Sequence, residues 1–276
     1  MRIARYSSEG AEPHFGVVEL PEDTGSHPGT LAVLSGDPLA GPVHYTGERL
    51  GLGEVRLLAP VLPRSKVVGI GRNYAAHAAE LGNEVPQTPL VFLKPNTSVI
   101  GPEDAILKPA QTHDLHYEGE LAVIIGRICR KVPPSRVGEV IFGYTVANDV
   151  TARDLQRTDG QWTRAKGWDT FCPLGPWMVT HLSPDEAGAL RLTTTLDGEV
   201  RQDASTSLML TPIIDLVSFI SEFTTLLPGD VILTGTPQGV GPMHAGQLVS
   251  VTIEEIGTLT NRVLDDADGS QYGGES

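Results

Sequence analysis

Two glutamates separated by one residue, Glu118 and Glu120, are the strongest candidates for chemistry in the sequence. They lie at the start of an apolar run, residues 116–126, whose aliphatic and β-branched residues predict a strand. Side chains alternate faces along a strand, so both carboxylates should point to one side and Gly119 to the other. Paired carboxylates repel each other unless one is protonated, solvent separates them or a cation bridges them. The pair is therefore either a solvated strand start or part of a site for a hard divalent metal.

A third acidic side chain, Asp149, ends another apolar strand, which we predict over residues 141–149. A carboxylate in this position is either a ligand or the N-cap of a following helix, and residues 150–156 have a helical pattern, so both roles stay open. Two histidines, His113 and His116, lie close to the glutamate pair in the sequence. They leave a zinc site as a minor alternative, since zinc prefers nitrogen ligands.

A candidate catalytic dyad lies further towards the N-terminus. Alanines favour a short helix over residues 74–82, and Gly82 suits its end. On such a helix His77 and Glu80 are neighbours, and a carboxylate beside an imidazole raises its basicity and orients it as a general base. A surface ion pair fits the same spacing equally well. Lys166 lies among aromatic residues and is either an anchor for a substrate carboxylate or an ordinary solvated lysine.

Two glycine-rich stretches are poor matches to nucleotide-binding motifs. The strand over residues 66–71 runs through Gly69 and Gly71 into the short helix, but Tyr74 replaces the third glycine of a dinucleotide fingerprint. No acidic residue closes a second strand about 20 residues later, which argues against a Rossmann site. The loop over residues 235–241 lacks the Gly-Lys-Ser/Thr of a phosphate loop. Its backbone N–H groups and threonine hydroxyls can still hold a carboxylate.

Composition limits the class of protein. The chain has 276 residues, 40% of them hydrophobic, as in an ordinary globular protein. Its net charge of -14 argues against nucleic acid and anionic membranes as partners. No apolar run approaches the roughly 20 residues that span a bilayer, and the N-terminus lacks the apolar core of a signal peptide. The two cysteines, Cys129 and Cys172, form no Cys-x-x-Cys pair, so we expect free buried thiols in a protein of the reducing cytoplasm.

Many glycines and prolines with few aromatic residues indicate short strands joined by turns. The sequence therefore predicts a mixed α/β, mainly β fold. A hairpin turn is predicted at Asp197-Gly198 and a helix over residues 213–223. We expect a small β-rich N-terminal domain over residues 1–62, a catalytic domain over residues 63–264 and a flexible tail over residues 265–276. A surface loop is also predicted over residues 21–29 from its composition.

Six short motifs occur in order and together resemble those of the fumarylacetoacetate hydrolase family. The resemblance covers residues 65–264. The region before it is similar to the one that precedes this domain in bacterial members described as 2-hydroxyhepta-2,4-diene-1,7-dioate isomerases. The motifs are Gly71-Arg72-Asn73-Tyr74-x-x-His77-x-x-Glu80, Phe92-Leu93-Lys94-Pro95, Tyr117-Glu118-Gly119-Glu120-Leu121, Asn148-Asp149-Val150-Thr151-Ala152-Arg153-Asp154, Lys166-Gly167-x-Asp169 and Leu233-Thr234-Gly235-Thr236-Pro237-x-Gly239-Val240-Gly241.

The resemblance implies a β-roll or distorted barrel as the catalytic domain, paired as a homodimer. It implies a Mg²⁺ or Mn²⁺ ion held by Glu118, Glu120 and Asp149. It also implies a lid that carries His77 and Glu80 as catalytic residues and orders over bound substrate.

Further site residues follow from the same resemblance. Lys166, Gln156 and Thr236 match positions that hold substrate or stabilise developing negative charge, with Lys166 counted as catalytic. Arg72, in the first motif, is also expected to bind substrate. Specificity does not carry over, because these positions vary across the family.

The implied activity is on 2-oxo or 1,3-dioxo acids, through an enolate that the metal stabilises as a Lewis acid. C–C bond hydrolysis of an acylpyruvate or fumarylacetoacetate type is the leading expectation, with water activated by the dyad. An oxaloacetate-type decarboxylase or a 2-hydroxyhepta-2,4-diene-1,7-dioate isomerase would use the same enolate. A catalytically silent protein that binds keto acids is the rival from another class, and the intact dyad argues against it.

Overall fold

The structure of the protein is a computed structural model that describes residues 1–8, 12–21, 29–82 and 84–266. Most of the loop predicted over residues 21–29, and of the tail predicted over residues 265–276, lies outside the described residues. The described residues form twenty strands and five α-helices.

The strands are β1 (Arg2–Ser7), β2 (His14–Glu19), β3 (Thr30–Leu34), β4 (Tyr45–Gly51), β5 (Arg56–Leu58), β6 (Val67–Gly71), β7 (Leu90–Lys94), β8 (Val99–Ile100), β9 (Ile106–Lys108), β10 (Leu115–Tyr117), β11 (Gly119–Ile125), β12 (Ile141–Asn148), β13 (Thr151–Ala152), β14 (Cys172–Val179), β15 (Arg191–Leu196), β16 (Glu199–Ser205), β17 (Val231–Leu233), β18 (Gly241–Pro242), β19 (Leu248–Ile253) and β20 (Gly257–Asp265). The α-helices are α1 (Ala75–Glu80), α2 (Arg153–Thr158), α3 (Thr163–Lys166), α4 (Pro184–Ala187) and α5 (Ile213–Phe223). Short 3-10 helices cover Leu52–Glu54, Asn96–Ser98, Pro134–Glu139 and Thr206–Leu208.

Most strands belong to one large sheet with the order β4-β3-β2-β1-β14-β12-β11-β17-β6-β7, to which β5 and β8 add at β1 and β14. A five-stranded sheet has the order β16-β15-β19-β20-β9, and β13-β10-β18 form a small third sheet. Strand β1 pairs directly with β14, so the N-terminal strands continue the sheet of the catalytic region. The prediction of a mainly β fold with a few short helices is confirmed.

The two faces of the large sheet pack against different partners, as the central strand β11 shows. Val123 shares a hydrophobic cluster with Val251 of the five-stranded sheet. The next residue, Ile124, points to the opposite face and shares a cluster with Ile3 of β1 and Val67 of β6. Because β1 and β6 lie on opposite sides of β11 in the strand order, the sheet curls around this second cluster. That curl gives the roll that the family resemblance implied.

Two local predictions are confirmed with a clear physical reason. Helix α5 covers Ile213–Phe223, as its apolar periodicity indicated, and Leu216 and Ile220 are fully buried. The hairpin between β15 and β16 turns at Asp197 and Gly198, which both have positive φ, at 51° and 85°. This combination is typical of the tight turns that match strand twist. None of the helices among the described residues has the length and apolar character needed to cross a membrane.

Candidate active site

The strand predicted over residues 116–126 is interrupted at Glu118, which lies between β10 and β11. The backbone N–H of Glu118 donates to the Asn148 side chain at 2.9 Å, and its carbonyl accepts from the Asp149 N–H at 2.8 Å. These two hydrogen bonds join Glu118 to the end of β12, and they bring Asp149 beside the glutamates. Gly119 points the other way, since a Cβ there would lie 2.3 Å from the Thr194 hydroxyl oxygen.

Glu118, Glu120 and Asp149 form a buried cluster. One carboxylate oxygen from each lies within 4.8 Å of the other two, and none of the three residues is more than 3% exposed. The expected zinc ligands lie elsewhere, because the His116 ring pairs with the Asp114 carboxylate at 2.8 Å. Within the described part of the chain, no histidine joins a group of three ligand side chains.

Three buried cations surround this acidic cluster. Lys166 Nζ donates to Glu118 at 2.7 Å and to Asp149 at 2.5 Å. Lys94 Nζ bonds the other oxygen of Asp149, and Arg153 donates to the other oxygen of Glu118 at 2.5 Å. Lys166 is therefore a buried partner of two carboxylates and not the solvated lysine that its sequence context also allowed.

The charges are unevenly distributed over the two glutamates. Burial alone would raise the pKa of Glu118, but the positive charges of Lys166 and Arg153 outweigh burial and hold its pKa well below the usual range. For Glu120, burial and then the negative charges of Asp149 and Glu118 raise the pKa well above its usual value. The Gly235 N–H donates to Glu120 at 2.7 Å, and among the described residues no cationic side chain is paired with it. Within the described residues, Glu120 is thus the one carboxyl group of the cluster that has no ion-pair partner.

The donors of the cluster suit a hard divalent cation. All three are carboxylate oxygens, which Mg²⁺ and Mn²⁺ prefer over nitrogen or sulfur. Two oxygens bound to one Mg²⁺ ion lie at most about 4.2 Å apart, which is close to the 4.8 Å within which these three oxygens lie. A cation there would also supply the positive charge that Glu120 lacks. Glu118, Glu120 and Asp149 could therefore hold such an ion.

The dyad residues lie on α1, and His77 lines a cavity that Glu118 and Glu120 also line. His77 is 5% exposed, and burial is the main cause that lowers its pKa, so the imidazole is a neutral base at neutral pH. Its Nδ1 lies 3.5 Å from a Glu80 oxygen, which is an ion-pair distance and longer than a well-formed hydrogen bond. Both Glu80 oxygens accept from the Gly239 N–H at 3.1 Å. Helix α1 is thus attached to the glycine-rich loop through Glu80.

This cavity, of about 270 Å³, is lined by two residues of the acidic cluster, by His77 and by the predicted substrate-binding residues. Gln156 Oε1 accepts from Arg153 at 2.7 Å, which leaves the amide N–H groups available for a ligand. The Thr236 hydroxyl already donates to the Gly119 carbonyl at 2.9 Å, so it can offer a ligand only a lone pair. Arg72 lines the cavity as well.

Aromatic side chains close one wall of the cavity, and sequence reasoning gave them no role. The Trp162 ring packs so closely on Gly71 that a Cβ there would lie 2.7 Å from it. Phe92 meets Trp162 edge-on, with ring centroids 5.5 Å apart. Lys166 Nζ lies 5.0 Å from the Phe92 ring centroid, within range of a cation–π interaction.

Sequence reasoning also assigned no role to Lys94 or Arg153. Both lie within the motifs that carry the family resemblance, and Lys94 is the last residue of β7, after four apolar residues. A charged residue at the end of an apolar run was the available signal. Which carboxylate each cation would pair with depends on the packing of β7 and α2 around the cluster.

Comparison with known proteins identifies the family. Residues 66–264 match the family described as Fumarylacetoacetate (FAA) hydrolase C-terminal. The chain belongs to the fumarylacetoacetate hydrolase family. Residues 1–60 match a second family, described as Rv2993c-like, N-terminal.

Individual relatives within the fumarylacetoacetate hydrolase family cover most of the chain. The Mycobacterium tuberculosis protein Rv2993c is 54% identical over 235 residues, which are 85% of this chain and 88% of that protein. A rat mitochondrial protein named oxaloacetate tautomerase Fahd2a is 39% identical over 76% of this chain and 70% of its own length. A crystal structure described as 2-hydroxyhepta-2,4-diene-1,7-dioate isomerase from Mycobacterium marinum is 47% identical, with a TM-score of 0.87 over 97% of this chain and 99% of that chain.

Proposed function

We propose that this protein is a divalent-metal-dependent enzyme that acts on a 2-oxo or 1,3-dioxo acid through its enolate. The observation that carries the proposal is the buried carboxylate cluster, which faces a cavity with a neutral histidine. In the described part of the chain, Glu120 of this cluster has no cationic partner. A Mg²⁺ or Mn²⁺ ion held by Glu118, Glu120 and Asp149 would polarise the substrate's oxygen atoms as a Lewis acid. The remaining roles belong to side chains of the chain itself.

The cations around the cluster set its charge. Lys166 and Arg153 keep Glu118 ionised, and Lys166 and Lys94 form direct ion pairs with Asp149. Because all three cations are buried, their attraction is weakly screened by solvent. The cluster is therefore preorganised for a cation and for negative charge that develops on a substrate oxygen.

His77 is the general base of the proposed reaction. For a 1,3-dioxo acid it removes a proton from water, which adds to the distal acyl carbonyl. The C–C bond then breaks, its electron pair remains on the pyruvate fragment as an enolate, and a proton returns to that carbon. Glu80 orients the ring and balances the imidazolium, and the Gln156 amide donates to a substrate oxygen. C–C hydrolysis of an acylpyruvate type is the reaction that uses all of these groups.

Proton transfer without bond cleavage is the second candidate. It is supported by the names of two relatives, an oxaloacetate tautomerase and a dienedioate isomerase. Both reactions move a proton between carbon and oxygen, or along a conjugated chain, and need one base and the same enolate. Oxaloacetate decarboxylation would form that enolate by loss of CO₂ and would need no base in that step.

The test uses EDTA-treated protein and a short acylpyruvate, whose enol absorbance disappears on cleavage. We expect loss of absorbance and formation of pyruvate only after Mg²⁺ or Mn²⁺ is added, and strongly reduced loss with His77→Ala. Loss of absorbance without pyruvate would favour the proton-transfer candidate. No reaction with acylpyruvate, oxaloacetate or a dienedioate, with either metal, would contradict the proposal and favour a silent keto-acid-binding protein.

A further inference from the structure

A group of basic side chains lies at the other end of β11 from the carboxylate cluster. Residues 127–136 contain four of the chain's 20 lysines and arginines and no acidic residue, although the net charge of the whole chain is -14. All four side chains line one cavity of about 300 Å³. We call them the basic cluster, and they are Arg127, Arg130, Lys131 and Arg136.

This cavity is separate from the active-site cavity. Strand β11 begins beside the carboxylate cluster, at Gly119, and ends at Ile125, two residues before the basic cluster. Its seven residues span about 23 Å at the usual rise of a strand. Within the part of the chain that the structure describes, no residue lines both cavities. A ligand of the basic cluster would therefore not contact a substrate at the carboxylate cluster.

Three of the four cations have no anionic partner. Among the described residues, the side chains of Arg127, Arg130 and Lys131 form no hydrogen bond and no ion pair, whereas Arg136 pairs with Glu139 at 2.8 Å. Hydrogen bonds from Arg136 lower the pKa of Glu139, and the nearby charge of Arg127 acts in the same direction. Glu139 is the one acidic side chain that lines the cavity in the described part of the chain. Because like charges that share a cavity repel each other, binding of an anion there relieves a repulsion.

The backbone that carries these cations is held in a fixed conformation. Cys129 exchanges two backbone hydrogen bonds with Leu226, at 3.0 and 2.9 Å. The Lys131 N–H donates to the Ser221 carbonyl at 2.8 Å, and the Val132 N–H donates to the Ser221 hydroxyl at 2.9 Å. These bonds hold Lys131 at a φ of 51°, in the left-handed region that non-glycine residues seldom occupy. Since the backbone is ordered before a ligand arrives, binding costs little backbone entropy.

We propose that the basic cluster binds a diphosphate group, either as free diphosphate or as part of a larger soluble molecule. A guanidinium forms paired hydrogen bonds with phosphate oxygens, and a lysine ammonium binds phosphate as a compact charge. A single carboxylate would compensate only one of the three unpaired cations, whereas a diphosphate carries charge enough for all of them. The inference does not depend on the proposed function.

The size and the walls of the cavity fit such a ligand. Its volume of about 300 Å³ lies at the lower end of the usual range for ligand pockets. Ile128 also lines it and is 72% exposed, so an apolar surface lies beside the cations. This side chain could contact the organic part of a diphosphate ester.

The test measures binding of inorganic diphosphate by calorimetry on the whole protein, with EDTA present to remove divalent metal. We expect a Kd below about 1 mM for the wild type. Arg130→Gln and Lys131→Gln should each weaken binding roughly 10-fold or more, the effect of losing one hydrogen bond to a charged group. Arg262→Gln is the matched control and should bind as the wild type does. It removes the same charge from β20, where Arg262 donates to the Gly246 carbonyl at 2.8 Å outside the cavity.

A gain of affinity guards against misreading a loss of folding. Glu139→Gln removes the carboxylate that competes for Arg136, so it should bind diphosphate roughly 2- to 5-fold more tightly than the wild type. A damaged protein would not bind more tightly. ADP is titrated in the same way, and affinity for ADP above that for diphosphate would support contact between Ile128 and the organic part of the ligand.

Three results would overturn the inference. The first is no binding of diphosphate or ADP by the wild type. The second is equal affinity in the wild type, Arg130→Gln and Lys131→Gln, or equal weakening by Arg262→Gln, since either would show only general attraction to surface charge. The third is loss of binding in Arg72→Gln, which would place the anion in the active-site cavity. Each of these results leaves the acylpyruvate test of the proposed function unaffected.

Discussion

Replacing each glutamate of the cluster by glutamine should have very different effects on stability in the absence of metal. Glu118 pairs with Arg153 and Lys166, and all three side chains are at most 5% exposed. Glu118→Gln removes the charge that both cations share. Breaking a buried ion pair by removing one partner costs about 3–5 kcal/mol, because the other charge stays buried without its counterion. Lys166 keeps Asp149 and Arg153 keeps Gln156, so we expect the lower end, about 3 kcal/mol.

Glu120→Gln should cost far less. Glu120 has no cationic partner among the described residues, and its raised pKa favours the neutral acid. The amide oxygen of a glutamine can still accept from the Gly235 N–H. We therefore expect a change in the free energy of unfolding within about 1 kcal/mol. Both variants lose a proposed ligand, so both should lose the stabilisation that saturating Mg²⁺ gives the wild type, about 2.7 kcal/mol at 100 times the Kd.

The assay is thermal and urea unfolding of EDTA-treated protein, repeated with Mg²⁺. For a chain of this size, about 3 kcal/mol corresponds to a melting temperature lower by about 6–12 °C for Glu118→Gln. Glu139→Gln is the control, since its pair with Arg136 is exposed to solvent and should contribute little to stability. Equal destabilisation by Glu118→Gln and Glu120→Gln would refute the uneven charge distribution. A retained Mg²⁺ effect in either variant would refute the assignment of that residue as a ligand.

Three further predictions address His77 as the base, the proton on the Glu120 carboxyl group and the Trp162 side of the cavity wall. His77→Ala should keep the Mg²⁺-induced rise in melting temperature but lose about 10²- to 10⁴-fold in turnover, and an unchanged rate would remove His77 from the base role. Because the pKa of Glu120 is raised on folding, the unfolded chain releases this proton first, so the metal-free protein should lose stability as pH rises above about 4.5. In urea titrations at a series of pH values, Glu120→Gln should remove this fall of the free energy of unfolding with pH. The same pH dependence in the variant and the wild type would contradict the assignment of the raised pKa to Glu120. Gly71→Ala should force Trp162 outward, destabilise by about 1–3 kcal/mol and raise KM, whereas an unchanged KM would show that the Trp162 wall does not contact substrate.

Much of the fold could be predicted from local patterns. Helix α5 and the Asp197-Gly198 hairpin follow from short-range periodicity and turn chemistry, and both are confirmed. The strand containing Glu118 was predicted as continuous, because periodicity cannot show where a chain leaves a sheet to bond another strand. Pro134–Glu139 form a 3-10 helix, and its distinction from an α-helix depends on hydrogen-bond geometry that a sequence pattern does not show.

The candidate site was predictable in its residue types and less so in its pairings. Alternation placed Glu118 and Glu120 on one face, but only the pairing of β11 with β12 brings Asp149 beside them. Lys94 and Arg153 become partners of the cluster through long-range packing that no local pattern encodes. The roles of the site residues, the domain boundary at residue 62 and the homodimer stay predictions.

The central claim is that the site forms an enolate with the help of a divalent cation. Exchange of the protons next to the keto group for deuterium, followed by NMR on 2-oxoadipate in D₂O, measures that step without requiring the physiological reaction. We predict exchange well above the protein-free rate when EDTA-treated protein is supplied with Mg²⁺ or Mn²⁺, and almost none with EDTA or with His77→Ala. Exchange no faster than the protein-free rate with both metals would contradict the account, and equal exchange by the wild type and His77→Ala would contradict the role of His77.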